Sequence, residues 1–180
     1  MMTIKSLYAL LQLLLFISAA INSKPASNPH EVKTTAAFAR LKSLTGEWRS
    51  VGPNGEHSRL VYQVISGGSA VMERFSSDAL PPNSGDMITI YYVDRGDLVL
   101  THYCIAHNQP HMRATLYDDR TGELNFDFVG GDNMGSGDEG HMHSEKLRFI
   151  DDDHLSSEWE YMEARSPKFT EVSQFTRVMQ

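Results

Sequence analysis

Cysteine is nearly absent from this sequence, which contains only Cys104 among 180 residues. A single thiol cannot form an intramolecular disulfide, so the fold must depend on side-chain packing rather than on a disulfide framework. Basic residues are also few, since 16 Lys and Arg stand against 23 Asp and Glu and give a formal net charge of −7. They are scattered along the chain, which excludes the electrostatic footprint of a nucleic-acid-binding protein and a polybasic membrane surface.

Long apolar runs are missing except at the N-terminus. The run from Leu7 to Ile21 follows a basic start at Lys5 and ends in small residues. This pattern is typical of a secretory signal peptide, and the run is shorter than the roughly 20 residues that a membrane-spanning helix requires. We predict a signal peptide over residues 1–23, a flexible leader over 24–35 and one domain over 36–180. The mature protein is expected to be soluble and secreted or periplasmic, with no membrane span after processing; an uncleaved anchor is the alternative.

One short helix is predicted at the start of the domain. Phe38, Leu41 and Leu44 recur at helical spacing, Thr34 and its neighbour precede them as capping residues, and Gly46 follows as a stop signal. The helix is expected to lead directly into the first strand.

The remainder of the domain has the pattern of many short β-strands. Runs rich in β-branched and aromatic residues alternate with Gly, Asp, Asn and Pro clusters at intervals of about ten residues. The predicted strands are Glu47–Val51, His57–Ile65, Ala70–Ser76, Met87–Val93, Leu98–Ile105, His111–Tyr117, Leu124–Val129, Met142–Ile150, Leu155–Glu163 and Thr170–Val178. Their short connectors carry hairpin turn residues, and closing such a meander into a barrel removes exposed strand edges more completely than a sandwich does. We therefore predict a mainly β fold: an antiparallel up-and-down barrel of about ten strands with a short N-terminal helix.

Two segments resemble known families. Gly46-Glu47-Trp48 resembles the Gly-x-Trp entry of lipocalins and their relatives in the calycin group, in which a short helical turn precedes the first strand and the Trp closes the bottom of the barrel. Thr101-His102-Tyr103-Cys104, followed by Asn108-Gln109-Pro110, is similar to a largely uncharacterised family of exported lipocalin-like proteins. That family continues with Arg-Met where this chain has His111-Met112-Arg113. The resemblance implies a calycin-like barrel with a possible ligand pocket.

The function expected from these features is the binding of a small, hydrophobic ligand in a barrel cavity. Apolar side chains would line the cavity, while amide, imidazole and guanidinium groups near the barrel mouth would orient a polar head. Arg113 suits a carboxylate because its guanidinium can bond both oxygens, although the Asn-Gln-Pro segment could equally be a well-bonded loop. The predicted ligand-binding residues are His102, Cys104, Asn108, Gln109, Arg113, Phe126 and Trp159.

A metal- or haem-binding barrel is an alternative function. His102 and Cys104 lie two residues apart on one predicted strand, and imidazole and thiolate are ligands that zinc or copper selects. His141 and His143 would supply the second pair of ligands, and nitrobindin-like haem barrels are similar in having ten strands. The competing interpretation makes His102 a hydrogen-bonded interior residue and Cys104 a small packed side chain. The sequence identifies no cofactor.

An exported enzyme acting on a small molecule is the third hypothesis, and the sequence favours it least. No nucleophile elbow, phosphate-binding loop or His-Glu-x-x-His motif is present. A barrel that contains His102, Cys104 and Arg113 could nevertheless support proton transfer. The discriminating observation is whether His102 and Glu145 converge on one pocket. Ligand identity and oligomeric state are not determined at this level.

Overall fold

A computed structural model describes residues 29–135 and 138–179, with the side chains of the N-terminal helix from Lys33 onward. The predicted signal peptide lies outside the described residues. The elements are helix α1 (Pro29–Lys42) and strands β1 (Gly46–Val51), β2 (His57–Ile65), β3 (Ala70–Ser77), β4 (Met87–Asp94), β5 (Asp97–Tyr103), β6 (Gln109–Asp118), β7 (Glu123–Asp132), β8 (His141–Phe149), β9 (His154–Glu163) and β10 (Ser166–Arg177).

The ten strands form one closed antiparallel barrel. Every strand pairs with its neighbours in sequence, and β1 completes the ring by pairing with β10. The closure is short, with Trp48 opposite Arg177 and Arg49 opposite Thr176. The predicted antiparallel barrel is therefore confirmed. The largest boundary difference is in β10, which was predicted from Thr170 and begins at Ser166.

Tight hairpins explain why consecutive strands pair. Between β4 and β5, Asp94 pairs with Asp97 and only two residues form the loop. Both loop residues, Arg95 and Gly96, have positive φ angles of 50° and 94°, as a two-residue turn that matches the right-handed twist of its strands requires. Glycine adopts such angles without steric strain, so this loop fixes the register of the hairpin.

Helix α1 covers one end of the barrel. Thr34 donates a hydrogen bond from its hydroxyl to the carbonyl of Gly96, and Arg40 bonds the carbonyl of Asp151, so the helix touches the β4–β5 and β8–β9 turns. At this end the indole of Trp48 donates to the carbonyl of Leu44 at 2.8 Å and is fully buried. We call this the closed end.

The helix begins earlier than predicted, at Pro29 rather than behind Thr34. It therefore extends into the segment 24–35 that was predicted to be a flexible leader. Proline is favoured in the first turn of a helix, because its missing N–H has no intrahelical partner there and its φ is already helical. Thr34 consequently lies inside the helix, where its hydroxyl bonds the Gly96 carbonyl instead of capping.

The opposite end of the barrel is the open end. There the first half of β10, Ser166 to Val172, is exposed on both faces, as a strand lining an open mouth must be. Below it, alternating side chains fill the interior with a core that includes Tyr62, Tyr91, Leu100, Phe126 and Leu147, all at most 1% exposed. The described residues include no helix long and apolar enough to cross a membrane.

Candidate functional site

A cavity lies in the half of the barrel nearer the open end, where strands β2–β5 and β8–β10 line it. Its enclosed volume is about 30 Å³, and the empty space around it, including the part open to solvent, is about 440 Å³. The enclosed part has room for one or two water molecules. Apolar and polar side chains both line it: Leu60, Glu73, Phe75, Met87, His102, Met142, Ser157, Trp159, Glu171, Ser173 and Phe175.

Glu73 is a buried carboxyl group in the wall of this cavity. It lies on β3 between the inward-facing Val71 and Phe75, and only 3% of it is exposed. Its Oε2 accepts a hydrogen bond from the hydroxyl of Tyr62 at 2.6 Å and lies 3.0 Å from the hydroxyl of Tyr91. Burial raises the pKa of Glu73, and the hydrogen bonds from the hydroxyl groups around it oppose that rise.

A second buried carboxyl group, Glu145 on β8, contacts the same tyrosine. The hydroxyl oxygen of Tyr91 lies 2.7 Å from Oε1 of Glu145. The other oxygen, Oε2, has no hydrogen-bond partner within residues 29–135 and 138–179. Burial and the nearby charge of Glu73 raise the pKa of Glu145 well above its ordinary value, and only the bond with Tyr91 opposes this. Glu145 is therefore the member of the pair that retains its proton most strongly.

His102 also lines the cavity, and Thr89 links it to the carboxyl pair. Its Nδ1 lies 3.0 Å from the hydroxyl of Thr89, which in turn lies 3.4 Å from Oε1 of Glu73. The imidazole packs against the indole of Trp159, with ring centroids 4.8 Å apart. Burial lowers the pKa of His102 to about 4, so the ring is neutral near pH 7. Its Nε2 is buried and has no hydrogen-bond partner among the residues that the structure describes.

His102 and Glu145 thus belong to one hydrogen-bonded chain through Thr89, Glu73 and Tyr91. His102 and Glu73 line the cavity, whereas Glu145 is not among its lining residues. The sequence prediction omitted Glu73, Tyr62, Tyr91 and Thr89. Strand alternation could have identified Glu73, since it shares its parity with Val71 and Phe75, but the partners on other strands give no local signal.

The predicted ligand-binding residues occupy several different environments. His102 and Trp159 line the cavity together. Phe126 packs in the core against Tyr91, and Cys104 is half-buried beyond the end of β5. Arg113 points outward because its neighbour Met112 faces the core, and it forms an ion pair with Asp97 at 2.6 Å.

Two further predicted residues lie at the β5–β6 turn. The side-chain amide of Asn108 donates to the carbonyl of Gly140 at 2.8 Å, and no described residue bonds its buried Oδ1. The side-chain oxygen of Gln109 accepts a bond from Asn133 at 2.6 Å. Both residues therefore connect the β5–β6 turn to the segment between β7 and β8. They are not among the residues that line the cavity.

The four predicted metal ligands do not form one cluster. His141 Nε2 and His143 Nδ1 lie 3.1 Å apart, and both rings pack against Phe128. His102 instead contacts Thr89 and Trp159. Within residues 29–135 and 138–179, no group of three or more His, Cys, Asp or Glu side chains is arranged to hold a metal ion.

No protein-family model matches this chain, and no curated protein is significantly similar to it in sequence.

Proposed function

We propose that this protein is a lipocalin-like carrier or receptor for a small molecule, which binds at the open end of the barrel. The observation that carries the proposal is the state of His102. The residue is only 3% exposed and lines the cavity, and no described residue gives its Nε2 the hydrogen-bond partner that buried polar groups almost always have. A ligand with a polar group at this position would supply the missing bond. The closed barrel and the N-terminal position of Trp48 support the lipocalin-like part of the proposal, and the apolar N-terminal run supports export.

The cavity constrains the size of the ligand. Ligand pockets usually measure about 300–1,000 Å³, and the enclosed space here is about 30 Å³. The apolar cavity expected from the sequence is small here, because fully buried side chains such as Leu100, Met112 and Phe126 occupy much of the interior. A ligand must therefore be small and must extend into the open mouth. Met87 and Met142 in the wall are flexible side chains that can rearrange around it.

The two tryptophans provide a direct test. Trp159 lines the cavity and Trp48 lies at the closed end, so the fluorescence of a Trp48→Phe variant of the full-length protein reports on the cavity alone. We expect a saturable change in this fluorescence when cyclohexanol or cyclohexanone is added. Absence of a saturable change with both probes would contradict the proposed site.

A matched pair of variants locates the binding event. Ser157 faces the cavity, so Ser157→Leu in the Trp48→Phe background should fill it and abolish the response. Ser156 is the preceding residue of β9, and strand alternation turns its side chain away from the interior. Ser156→Leu should therefore leave the fluorescence response intact. Equal responses from the two variants would place binding elsewhere on the protein.

A further inference from the structure

The Tyr91 hydroxyl group limits how protons are shared between the buried carboxyl groups. Its oxygen lies 3.0 Å from Oε2 of Glu73 and 2.7 Å from Oε1 of Glu145, but a tyrosine has one hydroxyl proton to donate. If both carboxyl groups were ionised, one of these contacts would place two lone pairs against each other. At least one of the two carboxyl groups is therefore protonated, and it donates to the oxygen of Tyr91.

The environment decides which carboxyl group holds that proton. The carboxyl group of Glu73 has hydrogen-bond contacts with the hydroxyl groups of Tyr62, Tyr91 and Thr89. Hydrogen bonds donated by such groups stabilise a carboxylate. Among the described residues, Glu145 has a hydrogen bond with Tyr91 only, at Oε1, and its Oε2 has no partner there. The proton consequently belongs to Glu145, which donates to Tyr91, and Tyr91 donates to the carboxylate of Glu73.

The direction of the bonds then continues to His102. Oε1 of an ionised Glu73 can only accept, so the hydroxyl of Thr89 donates to it. Because the hydroxyl proton of Thr89 is used in this bond, the Thr89 oxygen can only accept a hydrogen bond from Nδ1 of His102. The proton of the neutral imidazole is therefore on Nδ1, and Nε2 carries a free lone pair.

We infer that the ligand bound at His102 is a small, largely apolar molecule whose polar group donates a hydrogen bond, as the hydroxyl of an alcohol or phenol does. This inference rests on the proposed function. The Nε2 lone pair accepts the ligand hydroxyl, while Phe75, Met87 and Trp159 provide apolar walls for the rest of the molecule. A carbonyl, ether or carboxylate oxygen would instead oppose its own lone pair to that of Nε2.

The tautomer can be measured without any ligand. Nitrogen-15 NMR of the full-length protein distinguishes a protonated from a bare ring nitrogen, and we expect a bare Nε2 in His102 at pH 7. In Glu73→Gln the side-chain amide donates to Thr89, which then donates to Nδ1, so the proton of His102 should move to Nε2. A protonated Nε2 in the wild-type protein would overturn the inference, whether or not ligands bind.

Binding selectivity tests the ligand class separately. Cyclohexanol and cyclohexanone have nearly the same shape, but only the alcohol can donate. By calorimetric titration we expect the wild-type protein to bind cyclohexanol about five- to tenfold more tightly, the value of one net hydrogen bond. The preference should disappear in Glu73→Gln, where Nε2–H can donate to either probe. Equal binding of both probes by the wild type would refute the donor requirement while leaving the proposed cavity intact, whereas no binding of either would refute the proposed function itself.

Discussion

Replacing Glu145 by glutamine tests whether the buried carboxyl pair holds a proton. The side-chain amide that this substitution introduces can donate to the Tyr91 oxygen just as a protonated carboxyl does, but it cannot ionise. Near pH 5, where the wild-type carboxyl is also neutral, we expect the free energies of unfolding of the two proteins to agree within about 1 kcal/mol.

The difference between the proteins should grow as the pH rises. The folded-state pKa of Glu145 is raised well above its ordinary value, so the folded protein retains a proton that the unfolded chain releases above about pH 4.5. The unfolded state then binds fewer protons at this position than the folded state, so the contribution of Glu145 to wild-type stability falls with increasing pH by about 1.4 kcal/mol per pH unit until the folded-state pKa is reached. Glu145→Gln lacks this loss. It should therefore become more stable than the wild type by about 1.4 kcal/mol between pH 5 and pH 6.

His102 acts in the opposite direction in both proteins. Its folded-state pKa of about 4 lies below the unfolded value of 6.5, so its contribution to stability increases as the pH rises between these values. This contribution cancels when the free energy of unfolding of one protein is subtracted from that of the other.

Urea denaturation, followed by tryptophan fluorescence at constant ionic strength, would give both stability curves. Glu47→Gln is a suitable control, because Arg59 and Arg49 lower the pKa of the half-buried Glu47 to about 2. The difference in free energy of unfolding between Glu47→Gln and the wild type should be constant above pH 5 and should change only at lower pH, where Glu47 is protonated. If the Glu145→Gln and wild-type curves are parallel from pH 5 to pH 7, Glu145 is not the proton carrier and the hydrogen-bond directions derived from it are wrong.

Three further predictions concern single side chains. Phe126→Ala should destabilise the protein by about 3–5 kcal/mol in urea denaturation, because the ring is fully buried in the core, and a loss below about 1 kcal/mol would show that this region is not tightly packed. The Cys104 thiol should react with a chromogenic disulfide reagent more slowly in the folded than in the denatured protein at pH 8, since burial raises its pKa; equal rates would contradict this. Arg113→Ala should change stability by less than about 1 kcal/mol and leave cyclohexanol binding unaltered, because its ion pair with Asp97 is half-exposed on the outer face, and a weakened affinity would place Arg113 in the site after all.

Local sequence patterns were sufficient for the strands and their order. Residue alternation and turn composition act over a few residues, and antiparallel hairpins join neighbours in sequence, so the pattern around Arg95 and Gly96 specifies both a turn and a pairing. The same alternation puts His102 on one strand face with Leu98 and Leu100, and all three are buried. It also places Arg113 on the outer face beside the buried Met112, away from the site that its chemistry suggested.

Local patterns were not sufficient for the site. Tyr91 and Glu145 are 54 residues apart, and Tyr62, Glu73 and Tyr91 lie on three different strands. Only the register of those strands and the closure of the barrel bring their hydroxyl and carboxyl groups within hydrogen-bonding distance.

The sequence by itself determined the strands and the hairpins, because these follow from dihedral preferences, turn residues and a period of two residues. Only the tertiary structure decided that two carboxyl groups share a tyrosine, that the interior is largely filled, and that His102 lines a small cavity while its Nε2 has no partner among the described residues. Those properties depend on distances between strands that are remote in the chain, and no local pattern specifies such distances.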